Sequence, residues 1–357
     1  MLLEGKDPYS EEVTLEIQKG MYGRPARGDE DQVAFAYPLY VSLFIFPLAF
    51  LPYPQAQALW LSGLVFLTLA TVIIILRTFD WKPSPGGLLA LSLWCLLLYP
   101  NARSIVLGQF TIPVLALLAL ALWAIKRGWD LLAGCSLAMA TIKPQMVFLL
   151  ILFLLLWALR WQRHRILGGF LIVMGLLLLL PSFLLPTWIL SFIPTLSQYQ
   201  TYTGIYTGSR SPLRILFDFL LPSKPSLWTT LLISLILGGY LIYRWVKALR
   251  GQGDTYQALS LTIIITLLIP VQTGTTNQVL LLLPLIFWLA QWAKRRWVAI
   301  SLSLILLLGP WTLFLATVQG DAEQPVMFLP LPLAALLISY LSRRGTATEV
   351  QSELGSS

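Results

Sequence analysis

The chain has 357 residues, of which 57% are hydrophobic and 11% charged, and its mean hydropathy is +0.77. A soluble domain carries about 25% charged residues, so a soluble fold is excluded and a polytopic membrane protein is expected. The +8 net charge does not indicate nucleic acid, because the cations sit in short loops between apolar runs, which is a topological pattern.

Residues 1–36 are polar, with eight Asp/Glu against four Lys/Arg, and contain no apolar core of a signal peptide. Residues 37–52 are apolar but broken by Pro38, Pro47 and Pro52. At about 1.5 Å per residue this stretch is short for a ~30 Å hydrocarbon layer, so a juxtamembrane or re-entrant helix is expected. The apolar segments that follow are 55–77, 86–99, 109–125, 130–142, 145–160, 167–185, 227–249, 257–270, 276–292, 297–317 and 325–342. They predict an all-α transmembrane bundle of about eleven spans. Its expected divisions are a first loop over 1–54, a membrane module over 55–185, an amphipathic loop over 186–226, further spans over 227–342 and a polar tail over 343–357.

Loop charge sets the expected orientation. Alternate loops hold fifteen Lys/Arg in one set and five in the other, apart from the four in the acidic N-terminal stretch. The richer set is read as cytoplasmic. The poorer set then faces outside with the N-terminal segment, Arg103, Lys143 and the 186–226 loop. The same count resolves 130–160, which is long enough for one span. Basic loops at both ends argue for two short helices turning at Lys143-Pro144, and proline disfavours helix at the residue before it.

Two polar knots interrupt the apolar runs, Asn101–Gln109 and Lys143–Gln145. Ionisable groups at membrane depth are functional candidates. Arg103, Lys143, Arg210 and Arg214 all fall on the outer side, and converging Arg and Lys suit a phosphate. Snorkelling or head-group contact is an equal alternative for Arg210 and Arg214, and Asp218 can pair with Arg214 at four residues' spacing. Among the acids, Asp7 and the Asp29-Glu30-Asp31 cluster can serve as general base or remain a solvated loop. Gln109 and the Asn277-Gln278 pair open spans, where they can cap a helix or hydrogen-bond a sugar. Trp188, Tyr199, Tyr202 and Tyr206 mark the 186–226 loop as interfacial. Cys95 and Cys135 lie in apolar runs and suggest no disulfide, and the single His164 in a basic loop leaves no His-based metal site.

Several of these stretches together resemble a known family. G-K-D-P-Y, A-Y-P-L-Y, G-Q-F, L-A-G followed by I-K-P-Q, and T-N-Q-V-L-L-L-L-P-L are similar, in order and spacing, to glycosyltransferase family 87. These are GT-C integral membrane enzymes that use polyprenyl-phosphate mannose. The resemblance implies sugar transfer, with mannose the implied sugar, from a polyprenyl-phosphate donor to a lipid or glycan acceptor at the outer face of the plasma membrane. It implies no metal, nucleotide or other cofactor, and only membrane lipids as further partners. It assigns Arg103, Lys143, Arg210 and Arg214 to the donor phosphate, and Tyr37, Gln109, Asn277 and Gln278 to sugar or acceptor. R-S-I-V-L-G-Q is also similar to the second-loop motif of oligosaccharyltransferases, without its acidic residue. The family's catalytic Asp follows a first transmembrane helix, and both are expected upstream of Met1; Asp7, Asp29 and Asp31 are the acids within this chain that can replace it. A flippase for a lipid-linked glycan, or an inactive membrane subunit, is the alternative reading.

Overall fold

A computed structural model describes residues 5–28, 30–195, 211–220, 227–269, 274–293, 295–319 and 323–354. Among these the chain is helical throughout, without strand elements. Every apolar segment expected from the sequence is helical, and five helices are long and apolar enough to cross a membrane: Tyr53–Thr78, His164–Leu184, Trp228–Leu249, Arg296–Thr317 and Pro325–Ser342. A sixth candidate is the pair Pro85–Leu97 and Tyr99–Val106, which meet at 63°. The first of these fills the segment expected over 86–99, and the bend lies at its end. Pro100 has no N–H to continue the i→i−4 ladder, so the chain kinks at Leu98 and restarts.

The bundle is built around short apolar helices that are deeply buried. Thr255–Leu268 is buried on every side from Ala258 onward, and packs against Pro144–Arg160, Leu227–Leu249 and Pro330–Leu354. Thr111–Arg127 packs against Tyr53–Thr78 and Asp130–Met139. A helix apolar all round belongs in the interior of such a bundle. His164–Leu184, Leu227–Leu249 and Arg296–Thr317 instead expose Leu179, Phe183, Leu235, Ile236, Ile305 and Leu315. An apolar outer belt of this kind is what a lipid-facing surface requires.

Asp130–Met139 and His164–Leu184 touch backbone to backbone. A Cβ on Gly134 would lie 2.0 Å from the Ile166 carbonyl oxygen, and one on Gly169 would lie 2.5 Å from that of Leu131. Small residues permit this approach in apolar surroundings. An ion pair fixes the ends of the same helices. Asp130 bonds Arg163, whose guanidinium also donates to the Ile125 carbonyl at 2.9 Å. Residues 130 and 163 therefore share one end of the bundle, and the chain between them runs out and back, turning at Lys143.

Further basic-loop residues share that end. Lys126 pairs with Asp80 and donates to the Thr78 carbonyl at 2.8 Å, and these three line a 510 Å³ cavity with Tyr256 and Gln291. The opposite end is covered by the N-terminal segment and by helical residues 188–195. Ser191 donates to Asp7 at 2.9 Å, Tyr9 meets Phe192 in a tilted ring contact, and the buried Trp188 meets Tyr40 edge-on with ring centroids 6.0 Å apart.

Candidate functional site

Lys143 is the cation this fold treats unusually. Pro144 occupies the first turn of the Pro144–Arg160 helix and holds Lys143 outside the helical region, at φ −122° and ψ 78°. That backbone turn buries the side chain, which is 8% exposed. Its ammonium donates to Gln109 Oε1 at 3.0 Å and Asn277 Oδ1 at 3.4 Å. Its Nζ also lies 5.9 Å from the centroid of the Tyr37 ring. Tyr37 itself donates to Gln109 Oε1 at 3.5 Å. Among the described residues no carboxylate pairs with Lys143. Burial without a counter-ion disfavours the charged form and pushes its pKa down from 10.5 to about 8.

Each partner of Lys143 is placed by local chain chemistry. Gly108 adopts φ +62°, and the Gly108 and Gln109 amides bond back to the Ile105 and Ser104 carbonyls. This left-handed cap ends the Tyr99–Val106 helix and points Gln109 at the lysine. Trp60 secures the turn by donating to the Gly108 carbonyl at 2.9 Å. Asn277 rides on the 3₁₀ turn Thr275–Leu281, which is buried along its length. That turn is anchored by Ser104, which donates to the Thr276 carbonyl, and by Gln278, which donates to the Phe328 carbonyl at 3.1 Å. Tyr37 is held by Tyr9, which donates to its carbonyl at 2.8 Å, and by an edge contact with Phe110.

Beside this group lies a second polar cluster. Glu323 accepts from the Tyr99 hydroxyl, takes the Thr275 hydroxyl at 2.7 Å on one oxygen and 2.8 Å on the other, and pairs with Arg103 Nε at 3.2 Å. Its side chain is 11% exposed. Thr275 is two residues from Asn277, so the two clusters share one turn.

The sequence-derived candidates therefore divide. Tyr37, Gln109, Lys143 and Asn277 converge, although they come from four separate parts of the chain. Gln278 faces the Phe328 carbonyl, Arg103 is engaged with Glu323, and Arg214 pairs with Asp218 at 3.3 Å. Asp7 accepts from the Tyr9 amide and Ser191, and Asp31 accepts from the Val33 amide at 2.8 Å. Glu30 is clamped by Arg24 in a two-bond fork, and this guanidinium holds its carboxyl well below the usual range, at about 2. Asp29 and Arg210 lie outside the described residues, as do Tyr199, Tyr202 and Tyr206. Among the described residues no group of His, Cys, Asp and Glu is arranged to hold a metal ion, and both cysteines are unpaired. Reading the sequence missed Glu323, Thr275, Tyr99 and Tyr9. The available signal was a carboxylate in a loop expected on the same side as the cations.

The geometry dictates a chemical character. A cation turns the amide oxygens of Gln109 and Asn277 toward itself, which leaves their NH₂ groups to face other partners. The group thus holds one buried positive charge without a carboxylate partner among the described residues, which favours an anion.

The family model of glycosyltransferase family 87 matches residues 35–271. The chain belongs to glycosyltransferase family 87. Its activity is accordingly sugar transfer, with a donor and an acceptor as substrates, carried out by a protein with membrane-spanning helices. The matched stretch contains Tyr37, Arg103, Gln109 and Lys143, whereas Asn277, Gln278 and Glu323 lie beyond it. Among curated proteins and among solved structures, none matches the chain.

Proposed function

We propose that this glycosyltransferase moves a sugar, mannose by family resemblance, from a polyprenyl-phosphate donor to a lipid or glycan acceptor at the outer face of the plasma membrane. The observation that carries this reading is Lys143, a buried ammonium that among the described residues meets amide oxygens and an aromatic face and no carboxylate. A lipid phosphate supplies the missing counter-charge and brings the sugar to the end of the bundle where polar residues converge. The charge distribution of the loops supports an outer location for that end.

In the transfer, an acceptor hydroxyl oxygen bonds the anomeric carbon as the bond from that carbon to the phosphate oxygen breaks. The leaving group departs as a phosphate anion, so a cation stabilises it better than an acid does. Lys143 fills that role. Arg103 and Arg214 are secondary to it because carboxylates already engage their charge. The acceptor proton passes to a carboxylate of the N-terminal segment. Among the described acids Asp7 is linked to the site, because Tyr9, which bonds it, also holds the Tyr37 that faces Lys143.

The test uses the chain in membranes with radiolabelled polyprenyl-phosphate mannose and extracted lipid. Label should enter the lipid or glycan fraction with the native protein and not with Lys143→Ala at equal expression. Full transfer by a well-expressed Lys143→Ala protein would overturn the donor site.

A further inference from the structure

We infer that Glu323 is a positioning residue that sets both amide partners of Lys143 without touching the lysine, an inference that builds on the donor site proposed above. The case rests on where its bonds go. The Glu323 carboxylate takes one donor from each end of a short arc of structure. Tyr99 opens the Tyr99–Val106 helix and Arg103 lies one turn further on. The Gly108 cap at the end of that helix presents Gln109. On the other side, Thr275 opens the 3₁₀ turn whose third residue is Asn277, and its hydroxyl bonds the carboxylate. Ser104 closes the circuit by donating to both the Pro100 and the Thr276 carbonyls. The carboxylate thus pins the helix whose far end leads to Gln109 and the turn that carries Asn277 two residues from the pinned Thr275.

The electrostatics fit the same role. Arg103 and Glu323 neutralise one another at 3.2 Å, so this cluster adds no net charge to the donor site. Lys143 keeps the one charge in its group that awaits an anion. A carboxylate that takes three side-chain donors and is largely buried is anchored too firmly to move with a substrate. Charge-assisted bonds of this kind are the stronger ones. Its effect on transfer therefore runs through geometry.

Two measurements test this. In the first, hydrogen exchange is followed on the full-length purified chain in lipid nanodiscs, with no substrate present. Glu323→Gln keeps the size of the side chain and removes its charge. Exchange should accelerate at least tenfold in the peptides covering 275–281 and 104–109, and remain unchanged around Asp130 and Arg163. Glu323→Asp should restore part of the protection. Unchanged exchange in the 275–281 peptide would overturn the inference whatever the enzyme does.

The second measurement is kinetic, with polyprenyl-phosphate mannose as donor. Glu323→Gln should raise the donor KM about tenfold with a smaller effect on kcat. In an Asn277→Ala background, the same substitution should change KM less than twofold, because its route of action is already cut. Independent, multiplying effects of the two substitutions, or a loss confined to kcat, would overturn the inference. Accelerated exchange together with a native protein that accepts no polyprenyl-phosphate donor would overturn the proposed function and leave the positioning role standing.

Discussion

Replacing Lys143 by methionine separates stability from function at this site. Methionine has similar length and needs no hydrogen-bond partner. Holding the ammonium in its buried position lowers its pKa from 10.5 to about 8. At 1.36 kcal/mol per unit, the native fold gives up about 3 kcal/mol at neutral pH to keep this group charged. Against that stand two hydrogen bonds to amide oxygens, at 3.0 and 3.4 Å, each contributing on the order of 1–2 kcal/mol. The two sides nearly cancel, so Lys143→Met should melt within ~2 °C of the native protein in detergent. Donor binding should suffer far more. Losing a charged partner of a phosphate removes about 1.5–3 kcal/mol, or roughly ten- to a hundredfold in kcat/KM for the donor. Thermal unfolding followed by tryptophan fluorescence, alongside transfer assays on the same preparations, reads both quantities. A drop in Tm of 10 °C or more would refute the reasoning, because it would mean that the lysine supports the fold.

Further outcomes are expected. Transfer should decline as pH rises through about 8, because the lysine loses the proton that makes it an anion site; Lys143→Arg, which stays charged, should lack that decline. The stability trend runs the other way: the folded state releases the proton near 8 and the unfolded chain near 10.5, so the native fold gains stability over that interval, and urea titrations at stepped pH should show the gain only in proteins that keep Lys143. Gly134→Ala puts a methyl group where the Ile166 carbonyl stands, at 2.0 Å, and should cost about 1–3 kcal/mol by forcing two helices apart. Gly168→Ala, with nothing within 4 Å of its Cβ, should be close to neutral in the same melting experiment. Gly108→Ala meets both a left-handed backbone and the Trp60 ring at 3.3 Å, so it should cost about 1–2 kcal/mol and weaken donor binding by displacing Gln109.

What could be read in the sequence was mostly local. The K-P dipeptide announces a break in the helix at Lys143, because proline acts on the residue beside it, and the turn is there. The Gly108-Gln109 pair announces a cap for the same reason, although which way Gln109 would face depends on a residue 34 positions away. Apolar runs located the helices, five or six of which are long and apolar enough to cross a membrane against about eleven spans expected, but not their winding. Over 276–292 the chain begins as a 3₁₀ turn before becoming α-helical at Leu282, since Pro284 has no N–H to bond the Leu280 carbonyl in an α register. The role of Glu323 was not legible. Its partners are 224 residues away at Tyr99 and 48 away at Thr275, and no local pattern joins them. The acids of the N-terminal segment were legible as a group but not by function. Asp31 and Glu30 are used to hold backbone and Arg24, whereas Asp7 links this segment to Ser191.

The central claim is that the donor phosphate sits against Lys143, and photo-crosslinking tests it most directly. A polyprenyl-phosphate mannose carrying a diazirine on the first isoprene unit would be irradiated with the full-length protein in lipid vesicles, and the labelled peptides located by mass spectrometry. The account predicts label in the segments around Gln109, Lys143 and Asn277, competed by unlabelled polyprenyl phosphate and lost in Lys143→Met. Competable label concentrated instead at the opposite end of the bundle, around Asp80, Lys126 and Arg163, would contradict it.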